Sequence, residues 1–315
     1  MTTMNERADR VANELGQNAD ALRVAVSRVG GARVIDCGGA VPGSLGAGLL
    51  LARACLSDLG DVAFVPSPLA DASGPAVQVR TDDPVRACLA SQYAGWQVTA
   101  EGKFFGLGSG PMRAAYAKEE LFQHIPGQEE PPCAVGVVET RRHPTEEVVA
   151  SLAGRMPASV ERLTLLVAPA SSLAGNVQVV ARSVETALHK LHELKFDVNQ
   201  VVSGYGVAPL PPVTPDELAA IGRTNDAILY GGRVTLWVRA DDEQIAAVGP
   251  RVPSNASNDH GAPFAELFAR YGDFYKIDPL LFAPAEVTVV NLKTGRCQSF
   301  GKAEPKLLRK SFFGE

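Results

Sequence analysis

The sequence predicts an α/β to α+β protein, with mixed sheets, packed helices and two lobes enclosing a cleft. Three observations carry this expectation. Short apolar, β-branched runs alternate with helix-patterned segments along most of the chain, the order that mixed α/β layers require. A length of 315 residues exceeds one small core and suits a large α/β unit or two interlocked lobes. The Pro-rich stretch APLPPVTPDE (208–217) offers a connection between lobes. The approximate division is 1–160 for an N-terminal lobe and 161–315 for a C-terminal lobe, which are free to intertwine.

Residues 5–15 read as a helix that stops at Gly16, a residue suited to a helix C-terminus. Leu22, Val24 and Val26 then alternate with other residues, Gly30-Gly31 supplies a tight turn, and 33–36 runs back as a hairpin. AGLLLARACL (47–56) has the length and composition of a buried helix. Strands follow at 61–65, 76–80 and 96–99, with a helix at 84–94. Next come a strand at 134–139, a helix at 144–154, a strand at 162–168 and a long helix at 176–194. A strand at 234–240 and a hairpin at 286–300, turned at Lys293-Thr294-Gly295, complete the chain. The topology stays open.

Composition removes several function classes. The formal net charge of -5 comes from interspersed acids and bases, with no basic stripe to attract nucleic acid. The polar helical start MTTMNERADRVANELGQ lacks the basic and apolar regions of a secretory signal. No apolar run reaches the roughly 18 residues of a membrane span, so the protein is expected in the cytoplasm. Five widely spread cysteines without a C-x-x-C pair argue against a disulfide framework or a zinc site. Each reads as a small buried apolar side chain.

The long helix concentrates the chemistry. Val177, Val180, Val184, Leu188 and Leu191 fall on one side at helical spacing, and that side faces the core. The other side collects Gln178, Arg182, Glu185, His189 and His192. An Arg and a Glu three apart usually make a surface ion pair worth about 0.2–0.5 kcal/mol, although paired ionisable groups also cluster at active sites. Glu185, His189 and His192 lack the H-E-x-x-H form of a zinc site, so the histidines are read as solvent-exposed.

Residues 102–111, GKFFGLGSGP, read as a Gly-rich loop whose amides could approach an anion, with Lys103 and Arg113 at its edges. A tight structural turn is the alternative, because neither a Walker ending nor a dinucleotide fingerprint is present. Arg223, Thr224, Asn225 and Asp226 crowd a second segment at 220–234. The loop-like stretches 253–264 and 273–285 mix aromatic, amide and acidic groups, as pocket-lining loops do. No nucleophile elbow or Cys–His pairing stands out.

Several segments together carry a resemblance. VIDCGG (34–39), PAVQVRTDDP (75–84), GSGPMRA (108–114), LLVAPASSLAGNVQVVARSVETALHKLHEL (165–194), AIGRTNDAILYGG (220–232), GAPF (261–264) and DFYKIDPLLFAPA (273–285) closely resemble the methenyltetrahydromethanopterin cyclohydrolase family. The match spans nearly the whole chain in order.

The resemblance implies hydrolysis of the methenyl form of tetrahydromethanopterin to the 5-formyl form. No metal, nucleotide or other cofactor is implied. The carrier is the substrate, within one-carbon metabolism: formaldehyde oxidation or methane formation according to the host. It implies a homo-trimer of two-lobed subunits with a pterin cleft. Within A-R-x-x-E, it implies that Arg182 and Glu185 act at the reacting carbon. Lys103, Ser109 and Arg113 would meet the ring or the carrier's anionic tail, and Asn225 and Asp226 the polar pterin edges. Archaeal members often hold tyrosine at the position of His260, so no role carries over to it. His189 and His192 stay unassigned. Two other readings fit such a cleft: a pterin- or folate-dependent one-carbon transferase and a non-catalytic pterin-binding protein.

Overall fold

The computed structural model describes residues 2–67, 74–94, 96–100, 104–272 and 276–315. In chain order it begins with α1 (Met4–Gln17), α2 (Ala19–Leu22), β1 (Ala25–Val29), β2 (Ala32–Asp36) and α3 (Leu45–Cys55). Then come β3 (Gly60–Pro66), β4 (Pro75–Thr81), a π-helical stretch (Val85–Gln92), β5 (Trp96–Ala100), β6 (Phe104–Ser109) and α4 (Met112–Tyr116). They lead into β7 (Cys133–Glu139), α5 (Glu146–Ala153), β8 (Arg162–Ala168), α6 (Leu173–Val180) and α7 (Ser183–Glu193). The rest is β9 (Val201–Pro209), α8 (Glu217–Gly231), β10 (Arg233–Val238), α9 (Asp242–Val248), α10 (Phe264–Tyr271), β11 (Glu286–Asn291), β12 (Cys297–Gly301) and α11 (Pro305–Phe313). The mixed α/β character expected from the sequence is present.

Two compact units share the chain, and neither is continuous. The first is Met1–Gly60 with Arg86–Gln178, and the second is Asp61–Val85 with Val179–Glu315. The Pro-rich stretch 208–217 lies inside the second unit, where it ends β9 and leads into α8.

The first unit is built on a six-stranded sheet ordered β1-β2-β8-β7-β6-β5. Its centre, β2, β8 and β7, is parallel. Central parallel strands are covered on both faces, and alternate side chains of β8 do divide between two cores. Leu166 and Ala168 join α1 and α3 residues such as Leu15 and Leu51, while Leu163, Leu165 and Val167 meet Val148 and Leu152 of α5. The β1–β2 turn has φ of 53° at Gly30 and 86° at Gly31, the two positive values that a type I′ turn requires.

The segment expected to be a Gly-rich loop is mostly strand. Phe104–Ser109 pairs with β5 on one side and β7 on the other, so its backbone serves the sheet ladder rather than an anion. A Cβ at Gly106 would stand 2.7 Å from Val138 Cγ1, so the glycine answers to crowding across the sheet.

The second unit holds a six-stranded sheet ordered β12-β11-β10-β9-β4-β3. β9 pairs antiparallel with β4 and β10, and β10 pairs parallel with β11. α7 and α8 both pack on β9, and α10 and α11 pack on α8. The helix expected over 176–194 is broken: α6 ends at Val180, and the Arg182 N–H turns back to the Val179 carbonyl at 3.1 Å. Val177, Val179 and Val180 make the approach to this break rich in stiff β-branched side chains, which weaken helix propensity. Cys37, Cys55, Cys88 and Cys133 are buried, whereas Cys297 is exposed on β12, contrary to the reading of all five as buried.

Candidate functional site

Arg182 occupies the N-cap position of α7, and Glu185 lies in its first turn. A carboxylate in a helix's first turn is favoured by the exposed N–H groups and the macrodipole. The face expected to meet solvent is instead interior: Arg182 is 7% exposed, Glu185 4% and Gln178 2%. The helix break explains part of this, since Gln178 belongs to α6 and does not continue the α7 face. Burying charge is costly unless it is paired, and both Arg182 and Glu185 have interaction partners. This is therefore not the solvated surface pair that the helical spacing alone suggested. Between them, Ser183 is fully buried, and its Oγ has no hydrogen-bond partner among the described residues.

In the first unit Arg113 is fully buried. Its Nε and Nη2 donate to Glu119 at 2.9 and 2.5 Å, and Nη1 donates to the Leu89 carbonyl at 2.8 Å. The guanidinium also lies over the Tyr93 ring, 4.9 Å from its centroid. Arg113 thus ties the π-helical stretch to the segment after α4 and presents no charge at a surface. Ser109 is buried as well, with Oγ 3.3 Å from the Val137 carbonyl and 3.3 Å from Cys55 Sγ. Lys103 lies outside the described residues.

Asn225 and Asp226 sit on α8. The Asn225 amide donates to the Ile221 carbonyl at 2.8 Å, one turn back. Asp226 is fully buried and accepts from the Phe264 N–H at 3.0 and 3.2 Å and from the Ser311 hydroxyl at 2.6 Å. These contacts anchor the starts and faces of helices, α10 and α11 among them, rather than offering hydrogen bonds at a free edge. The structure therefore brings Arg182 and Glu185 together on one turn, and gives Ser109, Arg113, Asn225 and Asp226 partners of their own.

A model of the family described as Cyclohydrolase (MCH) matches residues 3–312, through both units. The chain belongs to the MCH cyclohydrolase family. Proteins named methenyltetrahydromethanopterin cyclohydrolase are similar to it over their length. That of Rhodopirellula baltica is 47% identical over 315 residues, covering 98% of this chain and 94% of the relative. That of Methylobacterium organophilum is 47% identical, covering 98% and 97%. The protein of Methanosarcina barkeri is 41% identical, covering 99% and 98%. The chain is an enzyme of this family.

In this cyclohydrolase α7 carries a further buried group that the sequence reading passed over. Lys190 is 2% exposed, and its Nζ donates to the Leu280 carbonyl. Burial pulls the amine down to about 8; Asp278 opposes that shift and Arg251 adds to it. Nothing in the local pattern HKLH marks this lysine, because its burial depends on a carbonyl 90 residues away. His189 is partly buried, with Nε2 3.8 Å from Glu193 Oε1. The His260 ring stands edge-on to Tyr230 at 5.2 Å, and burial holds its imidazole below the usual value. Among the described residues of the cyclohydrolase, no cluster of three His, Cys, Asp or Glu could hold a metal ion. No described helix is long and apolar enough to cross a membrane.

Proposed function

We propose that this cyclohydrolase adds water to methenyl-tetrahydromethanopterin and releases 5-formyl-tetrahydromethanopterin, with Glu185 as general base. Agreement in name among relatives spanning 98% or more of the chain carries the substrate. The buried position of Glu185 on the first turn of α7 supports its role.

The methenyl carbon lies between two nitrogens and shares their positive charge, so it is already electrophilic. What it needs is a positioned water and a proton acceptor. Glu185 takes a proton from the water as the C–O bond forms, giving a carbinolamine. It returns that proton to the departing nitrogen as the C–N bond breaks, while the carbinolamine hydroxyl gives its own proton to solvent and its oxygen becomes the formyl carbonyl, so one proton is released overall. Arg182 stays protonated and cannot be the base; its charge steadies and orients the carboxylate. No metal, nucleotide or other cofactor enters these steps. The same reading takes the protein to be a cytoplasmic homo-trimer, as the family resemblance implies, without nucleic-acid or membrane partners.

The test is loss of the methenyl absorbance with purified protein and no second substrate, which separates hydrolysis from one-carbon transfer and from binding without turnover. Glu185→Gln is expected to lower kcat by about 10²- to 10⁴-fold, the usual contribution of general acid–base catalysis. Wild-type turnover by this variant overturns the assignment of the base. A chelator is expected to leave the rate unchanged, and loss of activity on chelation overturns the metal-free reading.

A further inference from the structure

Two glycines in the middle of β9, Gly204 and Gly206, face the first turn of α7. A Cβ at Gly206 would stand 2.4 Å from Ser183 Oγ and 3.0 Å from Val184 Cγ2. One at Gly204 would stand 2.6 Å from Val184 Cγ1. Neither glycine has a positive φ, so backbone conformation admits other residues at both positions. Only space excludes them.

The strand has little freedom to yield. Gly206 is in register with Val79 of β4 and Val234 of β10, and Gly204 with Thr81 and Leu236. A methyl group added here meets a strand paired on both sides, so the shift falls on Ser183 and Val184 in the first turn of α7. That turn also holds Arg182 and Glu185 on either side of the two touching residues. The Ser183 hydroxyl makes no hydrogen bond among the described residues, so the side chain nearest Gly206 is placed by contact with the bare strand and not by a polar partner of its own.

We propose that Gly204 and Gly206 are positioning residues for the reaction: the bare stretch of β9 sets how deeply the first turn of α7 seats, and so where Arg182 and Glu185 stand. This rests on the reading of Glu185 as the base. A glycine needed only for packing would lower stability and leave the turnover of folded protein alone. A positioning glycine changes kcat in protein that remains folded.

The experiment is a compensation series assayed with methenyl-tetrahydromethanopterin on folded protein, with circular dichroism and Tm measured alongside. Gly206→Ala is expected to lower kcat about 10- to 100-fold with KM changed by less than about threefold, the scale on which a misplacement of about 1 Å acts. Ser183→Ala alone is expected to keep wild-type kcat. Combined with Gly206→Ala, it removes the oxygen that the new methyl meets and is expected to recover most of the lost turnover. Full kcat in Gly206→Ala, or a loss that Ser183→Ala does not relieve, overturns the proposal. If Gly206→Ala does not fold, Gly204→Ala with and without Val184→Ala reads the neighbouring contact in the same way. Glu185→Gln is measured beside them. Full activity there overturns the base, whereas compensation between Gly206 and Ser183 stands or falls by itself.

Discussion

The Ser311 hydroxyl of α11 donates at 2.6 Å to Asp226 Oδ2 of α8, the same carboxylate that receives the Phe264 N–H opening α10. One buried acid thus joins three helices. Burial pushes its carboxyl up to about 7, against the opposing pull of Ser311 and Phe264.

The pH dependence of stability follows from that rise. The folded value exceeds the ordinary 3.8, so between about 4 and 7 the folded state binds more protons than the unfolded one. The stability contributed by protonated Asp226 is fully present below the unfolded value and is lost as pH rises through 7. Asp226→Asn keeps one acceptor oxygen for the Phe264 N–H, can donate its amide to the Ser311 oxygen, and cannot ionise. Its Tm is expected to fall less steeply than wild type between pH 4 and 8, with KM unchanged. Parallel Tm curves sink the titration argument, and a raised KM returns Asp226 to the substrate.

Lys190 titrates with the opposite sign. Its folded value of about 8 lies below the ordinary 10.5, so the folded state binds fewer protons between them. Stability from this group therefore increases as pH rises through that window. Lys190→Met strands the Leu280 carbonyl, at a cost of about 1–3 kcal/mol. Urea unfolding is expected to show a wider gap between wild type and variant at pH 9 than at pH 7. An equal gap would mean that the amine does not titrate there.

Removing Arg113 leaves Glu119 without its bidentate partner. Breaking a buried pair from one side typically costs about 3–5 kcal/mol. Arg113→Ala is expected to unfold at markedly lower denaturant with KM close to wild type in whatever folds. Unchanged stability with a raised KM would instead mark Arg113 as facing the substrate.

On the proposed mechanism, Arg182→Met withdraws a cation from the helix turn that carries the buried Glu185 carboxylate. An opposite charge nearby favours the ionised acid, so the acid limb of kcat/KM is expected to move to higher pH. A pH–rate profile that falls in height without moving would show that Arg182 does not tune the base.

The legible parts of this chain are those set by local pattern. AVGVVE and RLTLLVA became β7 and β8 at nearly the expected bounds, because a strand buried on both faces announces itself as a nearly continuous apolar run. Gly30-Gly31 marked its hairpin for an equally local reason. What escaped reading depends on distant partners. β9, VVSGYGVAP, hides behind two glycines that lie close against Ser183 and Val184 of α7. β6 looked like a loop because Val138 and its neighbours crowd it. Arg182 and Glu185 were placed on one helix, but their burial comes from surroundings that helical spacing does not encode. Lys190 and Asp226 meet groups far along the chain, Leu280 and Ser311 among them, whereas Arg113 is paired with Glu119 only six residues on.

The divided course of the chain has a consequence for its synthesis. The side chains of Gln78 on β4 and Tyr205 on β9 meet, yet they are 127 residues apart. At about 5–20 residues per second, β4 leaves the ribosome roughly 6–25 s before the strand that pairs with it. During that interval the rest of the first unit, Arg86–Gln178, emerges. Meanwhile β3 and β4 wait with open hydrogen-bonding edges, the kind of surface that recruits wrong partners. Nascent chains of about 85 to 200 residues are thus the stage at which the open edge of β4 is longest without its β9 partner.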